Sequence, residues 1–146
     1  MLLNLKRMDE RAVLPKYGSE GAAAFDLYCL LDQDEIVIKP GETALLNTGW
    51  AMEIPEGYVG LICPRRGLGT KKGLILSNTL GVIDSDYRGN VMVSIFNRSK
   101  EPQTISNLER VAQMLIMPVV QVQFNEVEEL SDTERGTGGF GHSGTK

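Results

Sequence analysis

A single histidine, His142, and two cysteines, Cys29 and Cys63, are all the imidazole and thiol that these 146 residues contain. That scarcity excludes most catalytic metal sites, because there is no HExxH, no CxxC pair and no histidine cluster to hold a zinc ion. It also leaves a serine–histidine–aspartate triad only His142 to use, on a glycine-rich terminus that is a poor platform for a nucleophile. Basic residues are outnumbered, with 15 lysines and arginines against 19 acids, for a net charge of −4. A general grip on nucleic acid needs a basic surplus, so no nucleic-acid partner is expected. Any anionic ligand must then be held by a local cluster of arginines. Long apolar runs are missing too, and no stretch approaches the roughly 20 apolar residues of a membrane helix. The start, MLLNLKRMDERAVLP, reaches charge at Lys6 before any apolar leader builds. Each cysteine sits in an apolar run and reads as a buried free thiol of a reducing compartment, with nothing to indicate a disulfide. A cytoplasmic protein with no membrane partner is the expectation.

What the sequence does hold is β-type patterning cut by turn residues. Residues 35–39 (EIVIK) end in Pro40-Gly41, residues 43–54 (TALLNTGWAMEI) in Pro55-Glu56-Gly57, and residues 58–63 (YVGLIC) at Pro64. Residues 73–76 (GLIL), 91–96 (VMVSIF) and 113–124 (QMLIMPVVQVQF) follow. In the last of these, Val120, Val122 and Phe124 alternate with Gln121 and Gln123, the period of a half-buried strand. Short strands with few helical windows predict one all-β domain, a barrel or sandwich, over residues 1–130. The one helix expected, over residues 66–72 (RGLGTKK), is short because two glycines weaken it. Residues 80–89, LGVIDSDYRG, place two acids, a tyrosine and an arginine between strand-like runs, which reads as a hairpin with a polar tip. From Ser131 onward the composition turns polar and then glycine-rich, so residues 131–146 are expected to form a flexible arm.

Candidate chemistry is scattered along this frame. Arg65, Arg66 and Gly67, at the start of the short helix, make either an anion site or an ordinary solvated turn. Asp84 and Asp86 could serve a water or a metal, or simply cap the hairpin. Asp26, in GAAAFDLYC, lies beside small residues that permit either close backbone approach or tight core packing. Arg110 and Gln113, in ERVAQMLIM, are singly unremarkable. Half of the ten residues in GTGGFGHSGT, residues 136–145, are glycine, yet the stretch carries Phe140, His142 and hydroxyls. It cannot act as a Walker loop, which needs a helix after it. Closely approaching glycine N–H groups, a stacking Phe140 and donors from His142 and Ser143 would suit a lid over a ligand, against the bland reading of an inert terminus.

Taken in order, five stretches resemble the motifs of the trimeric dUTPase family. They are residues 21–27 (GAAAFDL), 60–69 (GLICPRRGLG), 78–89 (NTLGVIDSDYRG), 110–114 (RVAQM) and 135–144 (RGTGGFGHSG). The likeness covers nearly the whole chain; the third and fifth motifs are specific, the first and fourth weak on their own. It implies a jelly-roll, β-barrel-like subunit assembled as a homotrimer, with each active site shared between chains and closed by a neighbour's arm. About eleven extended residues reach roughly 36 Å, enough to cross onto a neighbour. The implied activity is Mg2+-dependent hydrolysis of dUTP to dUMP and pyrophosphate, which keeps uracil out of DNA and supplies dUMP for dTMP synthesis.

The resemblance also assigns roles. Asp84 would orient and deprotonate the attacking water and touch the sugar 3′-hydroxyl. Arg65 and Gln113 would order the triphosphate and its waters, with Gly67 in the same loop, and Asp26 would join Gln113 in meeting Mg2+ through water. Asn78 and the backbone around Val82 and Ile83 would read the uracil edge, Tyr87 would leave no room for a ribose 2′-hydroxyl, and Met92 would line the same pocket. Phe140 would stack on the uracil, while Arg135, Gly141, His142 and Ser143 would close over the nucleotide and engage its phosphates. One residue departs from the family's usual Pro-Arg-Ser-Gly. Arg66 stands where a serine hydroxyl contacts the α–β bridging oxygen; its charge could stabilise the same oxygens, or its length could crowd them. Two alternatives therefore stay open: a non-hydrolysing dUTP-binding or signalling protein, and a dCTP deaminase of the same fold, which the hairpin GVIDSDYRG disfavours.

Overall fold

Apolar–polar alternation carries directly into strands. The structure, a computed structural model, describes residues 1–138. Its strands are β1 (Asn4–Arg7), β2 (Lys16–Tyr17), β3 (Phe25–Tyr28), β4 (Glu35–Ile38), β5 (Thr43–Glu53), β6 (Tyr58–Pro64), β7 (Leu74–Leu76), β8 (Gly81–Ile83), β9 (Asn90–Asn97), β10 (Gln103–Ser106) and β11 (Arg110–Pro118). They form a four-stranded sheet in the order β1-β5-β9-β7, a five-stranded sheet β2-β3-β11-β6-β8 and a two-stranded ribbon β10-β4. All pairs are antiparallel. The fold is all-β, as expected, with open sheets in place of a closed barrel.

Strand β9 shows how the core is made. Val91, Val93, Ile95 and Asn97 point inward and are buried, while Met92, Ser94 and Phe96 alternate outward. Leu27, Ile62 and Met114 of the five-stranded sheet join them, with Ile38 and Ile105 of the ribbon, in one apolar cluster. Asn97, the polar member of that row, is fully buried and donates from Nδ2 to the Ile38 and Glu101 carbonyls, both at 2.8 Å.

The helix expected at residues 66–72 is a single π-helical turn, Leu68–Lys72, anchored by buried Leu68 and ended by Gly73 in the left-handed region, φ 68°. Two expectations are corrected. The strand expected to run to Phe124 stops at Pro118, opposite Tyr58, where β6 begins and the ladder has no further partner. Beyond it Val120, Val122 and Phe124 are 84%, 65% and 96% exposed, so their alternation faces solvent on both sides of this chain.

The polar hairpin is also different. β7 and β9 do pair, but the segment between them crosses to the other sheet and adds β8 as an edge strand against β6. Gly81 permits this, because a Cβ there would lie 2.9 Å from Ile62 Cβ. A crossing of this kind leaves no periodic signal in three residues.

Candidate active site

Strand β11 is the organiser. Gln113 lies opposite Asp26 of β3 on one side and Cys63 of β6 on the other, and Ala112 faces Pro64. Three stretches far apart in sequence thus meet at one sheet end. Asp26, with a side chain only 14% exposed, takes Arg65 Nε at 3.0 Å on Oδ1 and Arg110 Nη1 at 3.1 Å on Oδ2. Arg65 also donates to the Arg110 carbonyl, and Gln113 Nε2 donates to the Pro64 carbonyl, each at 3.1 Å. Together Asp26, Arg65, Arg66, Gly67 and Gln113 line a cleft of ≈ 460 Å³.

The charge count decides what this cleft suits. Two guanidinium groups share one carboxylate, and Arg66 has no ion pair among the described residues. The surplus is positive, in arginine forks that match phosphate oxygens. Arg110 is the residue sequence reasoning passed over as a site member. A register shift between Arg110 and Ala112 gives it its place beside Asp26, and such a bulge is not legible in RVAQM.

A second cleft, of ≈ 990 Å³, holds the other group: Val82, Asp84, Ser85, Asp86 and Arg88 among its lining, against Glu53, Glu56 and Tyr58. Asp84 follows β8 and opens a turn that Tyr87 N–H closes on its carbonyl at 3.2 Å. The Asp84 carboxylate is exposed and makes no ion pair among the described residues. Arg88 is otherwise engaged, donating to the Ser85 carbonyl at 2.6 Å and lying 3.6 Å from Glu53. Asn78 is exposed in the turn after β7, Val82 is 58% exposed on the edge strand, and Ile83 packs partly into the core. Tyr87 is 42% exposed with its hydroxyl donating to the Asn90 carbonyl at 3.0 Å, and Met92 sits at the surface of β9.

One chain therefore does not bring all of these side chains together. Asp26, Arg65, Arg66, Gly67 and Gln113 converge, while Val82 and Asp84 open onto a different cleft that shares no lining residue with the first. Arg135 lines neither cleft and donates from Nε to the Gly138 carbonyl at 2.7 Å. Phe140, Gly141, His142 and Ser143 lie outside the described residues.

Donor chemistry tests the metal expectation. No group of three or more histidine, cysteine or acidic residues that could hold an ion occurs among the described residues. Both oxygens of Asp26 are already ion-paired. That donor set fits Mg2+ met through water rather than bound directly, the oxygens on offer in the first cleft being those of Asp26 and Gln113.

Comparison with known proteins fits this arrangement. The dUTPase family profile matches residues 10–144, which takes in all five stretches. The chain belongs to the dUTPase family. By that membership it is an enzyme of the dUTP diphosphatase class. The deoxyuridine 5'-triphosphate nucleotidohydrolase of Nautilia profundicola is 49% identical over 144 residues, covering 99% of both chains. Among solved structures, a mutant dUTPase of Staphylococcus bacteriophage 80alpha with dUpNHpp superposes with a TM-score of 0.86 at 30% identity, covering 99% of each chain. A variant dUTPase from phage phi11 of S. aureus, whose structure reveals the coordination of a structural Mg(II) ion, gives a TM-score of 0.78 at 26% identity over 88% of this dUTPase and 98% of that chain. No helix among the described residues of this dUTPase is long and apolar enough to cross a membrane.

Proposed function

We propose that this dUTPase cleaves dUTP to dUMP and pyrophosphate with water as nucleophile, in a homotrimer whose sites are shared between subunits. The observation that carries the reading is the exposed carboxylate of Asp84, in no ion pair among the described residues, on one cleft of a chain whose other cleft gathers surplus arginine charge. Asp84 holds a water against the α-phosphorus and takes its proton as the new P–O bond forms. The bond to the leaving pyrophosphate breaks, and Arg65 and Arg66 balance the charge that develops there. When bound, Mg2+ supplies charge neutralisation on the phosphate oxygens; Asp26 and Gln113 orient the waters around it.

The split between the clefts supports a shared site, since residues of two subunits can face each other where those of one cannot. Exposed Val120, Val122, Phe124 and Leu130 supply apolar surface that a neighbouring subunit would cover. Residues 1–130 act as the domain and residues 131–146 as an arm over a neighbour's site. There Phe140 stacks on the uracil and Arg135, Gly141, His142 and Ser143 close on the nucleotide. Asn78, Val82 and Ile83 read the base edge, Met92 lines the pocket, and Tyr87 blocks a ribose 2′-hydroxyl. The two free cysteines suit the reducing cytoplasm, where the product dUMP would feed dTMP synthesis and dUTP would be kept out of DNA.

Incubation with dUTP and Mg2+ should release pyrophosphate in step with dUMP. Tight binding of dUpNHpp with no pyrophosphate from dUTP would install the second reading, a dUTP-binding protein in which Arg66 has displaced the catalytic serine. Ammonia from dCTP would instead make it a deaminase.

A further inference from the structure

Tyr87, the residue given the sugar to inspect, does not hold its own position. The hydroxyl end of its ring lies against Gly89. A Cβ built on Gly89 would stand 2.6 Å from Cζ and 2.9 Å from Cε2, and closer still to the hydroxyl oxygen. Those are distances that only a bare Cα permits. The hydroxyl then reaches past Gly89 to the Asn90 carbonyl at 3.0 Å. Asn90 is tied in turn, with its Nδ2 donating to Asn47 Oδ1 across β5 and β9. Asn47 stands where the β5–β9 register breaks, and its Oδ1 also accepts the Gly49 N–H at 2.6 Å. The tyrosine is thus seated on a glycine and latched to a strand whose inward row is buried in the core.

We propose that Gly89 is a positioning residue for sugar selection: its missing side chain is the seat that fixes the Tyr87 ring, and so sets discrimination between deoxyribose and ribose nucleotides. The inference rests on the reading of Tyr87 given above. Gly89 does not have a positive φ, so an alanine there meets no left-handed backbone strain. What an alanine Cβ meets is the far end of a half-exposed side chain, which can swing away. The ring would retreat by about 1 Å to reach ordinary contact distance and would lose its latch on Asn90. Displacements of that size at a reacting complex cost on the order of a hundredfold.

The test uses Gly89→Ala, Tyr87→Ala and the double variant, with kcat/KM measured for dUTP and for UTP and the thermal midpoint recorded. Gly89→Ala should lower the dUTP-over-UTP ratio about tenfold to a hundredfold with the midpoint near that of the parent. The double variant should match Tyr87→Ala alone, because Gly89 acts only through the ring. Parent-like discrimination in Gly89→Ala, alongside a collapsed ratio in Tyr87→Ala, would overturn the seat and leave the role of Tyr87 intact. A double variant worse than Tyr87→Ala by the full Gly89→Ala factor would overturn it as well. An unchanged ratio in Tyr87→Ala would remove the reading of Tyr87 itself, and the seat with it.

Discussion

Replacing Asp84 by asparagine separates the chemistry of this protein from its folding. The carboxylate is exposed and joins no ion pair among the described residues; the structure uses only its backbone carbonyl, which accepts the Tyr87 N–H at 3.2 Å. Asparagine has the same shape and is equally at home at the first position of a turn. The stability change should therefore stay within about 0.5 kcal/mol, a shift of about 2 °C in the thermal midpoint. Activity should behave very differently. An amide cannot take a proton from water, and a positioned general base contributes typically 10²–10⁴-fold, or about 3–5 kcal/mol of barrier. Pyrophosphate release from dUTP, followed beside calorimetric binding of dUpNHpp, reads both quantities. The expected result is retained binding, a parent-like midpoint and kcat down at least about a hundredfold. An Asp84→Asn protein that hydrolyses dUTP at the parent rate would refute the role of this carboxylate, and loss of binding together with kcat would assign it to substrate affinity instead.

Four further outcomes can be checked. Arg66→Ser removes an exposed charge, in no ion pair among the described residues, worth about 1 kcal/mol at 4 Å in water, and puts a hydroxyl donor in its place on the same oxygens, so KM should rise no more than about fivefold while kcat is kept or raised; a fall in kcat/KM beyond about a hundredfold would make Arg66 an indispensable phosphate ligand. Ile95 is 1% exposed at the centre of β9, and Ile95→Ala should cost about 2–5 kcal/mol, visible as a midpoint lower by roughly 10 °C; a change under about 2 °C would contradict the packing described. The Asp9 carboxyl is held down to about 2 by a hydrogen bond from the Arg11 side chain. Its contribution is thus present above the ordinary carboxylate range and lost only as pH falls toward 2; NMR titration should show that midpoint, and Arg11→Ala should return it toward 3.8. Ending the chain after Leu130 should leave the thermal midpoint in place and lower kcat/KM about a hundredfold, the scale of losing transition-state contacts; undiminished turnover would release the arm from its assigned role.

Motif chemistry was legible in the order of residues alone. Pro64-Arg65-Arg66-Gly67, NTLGVIDSDYRG and the glycine-rich RGTGGFGHSG announce themselves because turns, bare glycines and clustered charges are local demands, met by neighbours in sequence. The long strands β6 and β9 were legible for the same reason, since a pleat of period two repeats itself within them. Strands of two or three residues such as β2 and β8 are too short to show such a repeat.

What only the tertiary structure decided was adjacency. That Asp26 answers two arginines, one just past the end of β6 and one opening β11, that Arg110 belongs with them, and that Gly81 carries the Asp84 turn across to the opposite sheet all depend on which strands pair and in what register. Register is a long-range choice, made by burying one face of every strand at once. The alternation of Val120, Val122 and Phe124 shows the same limit from the other side: their spacing prescribes a strand, but a strand needs a partner, and this chain ends its own ladder at Pro118.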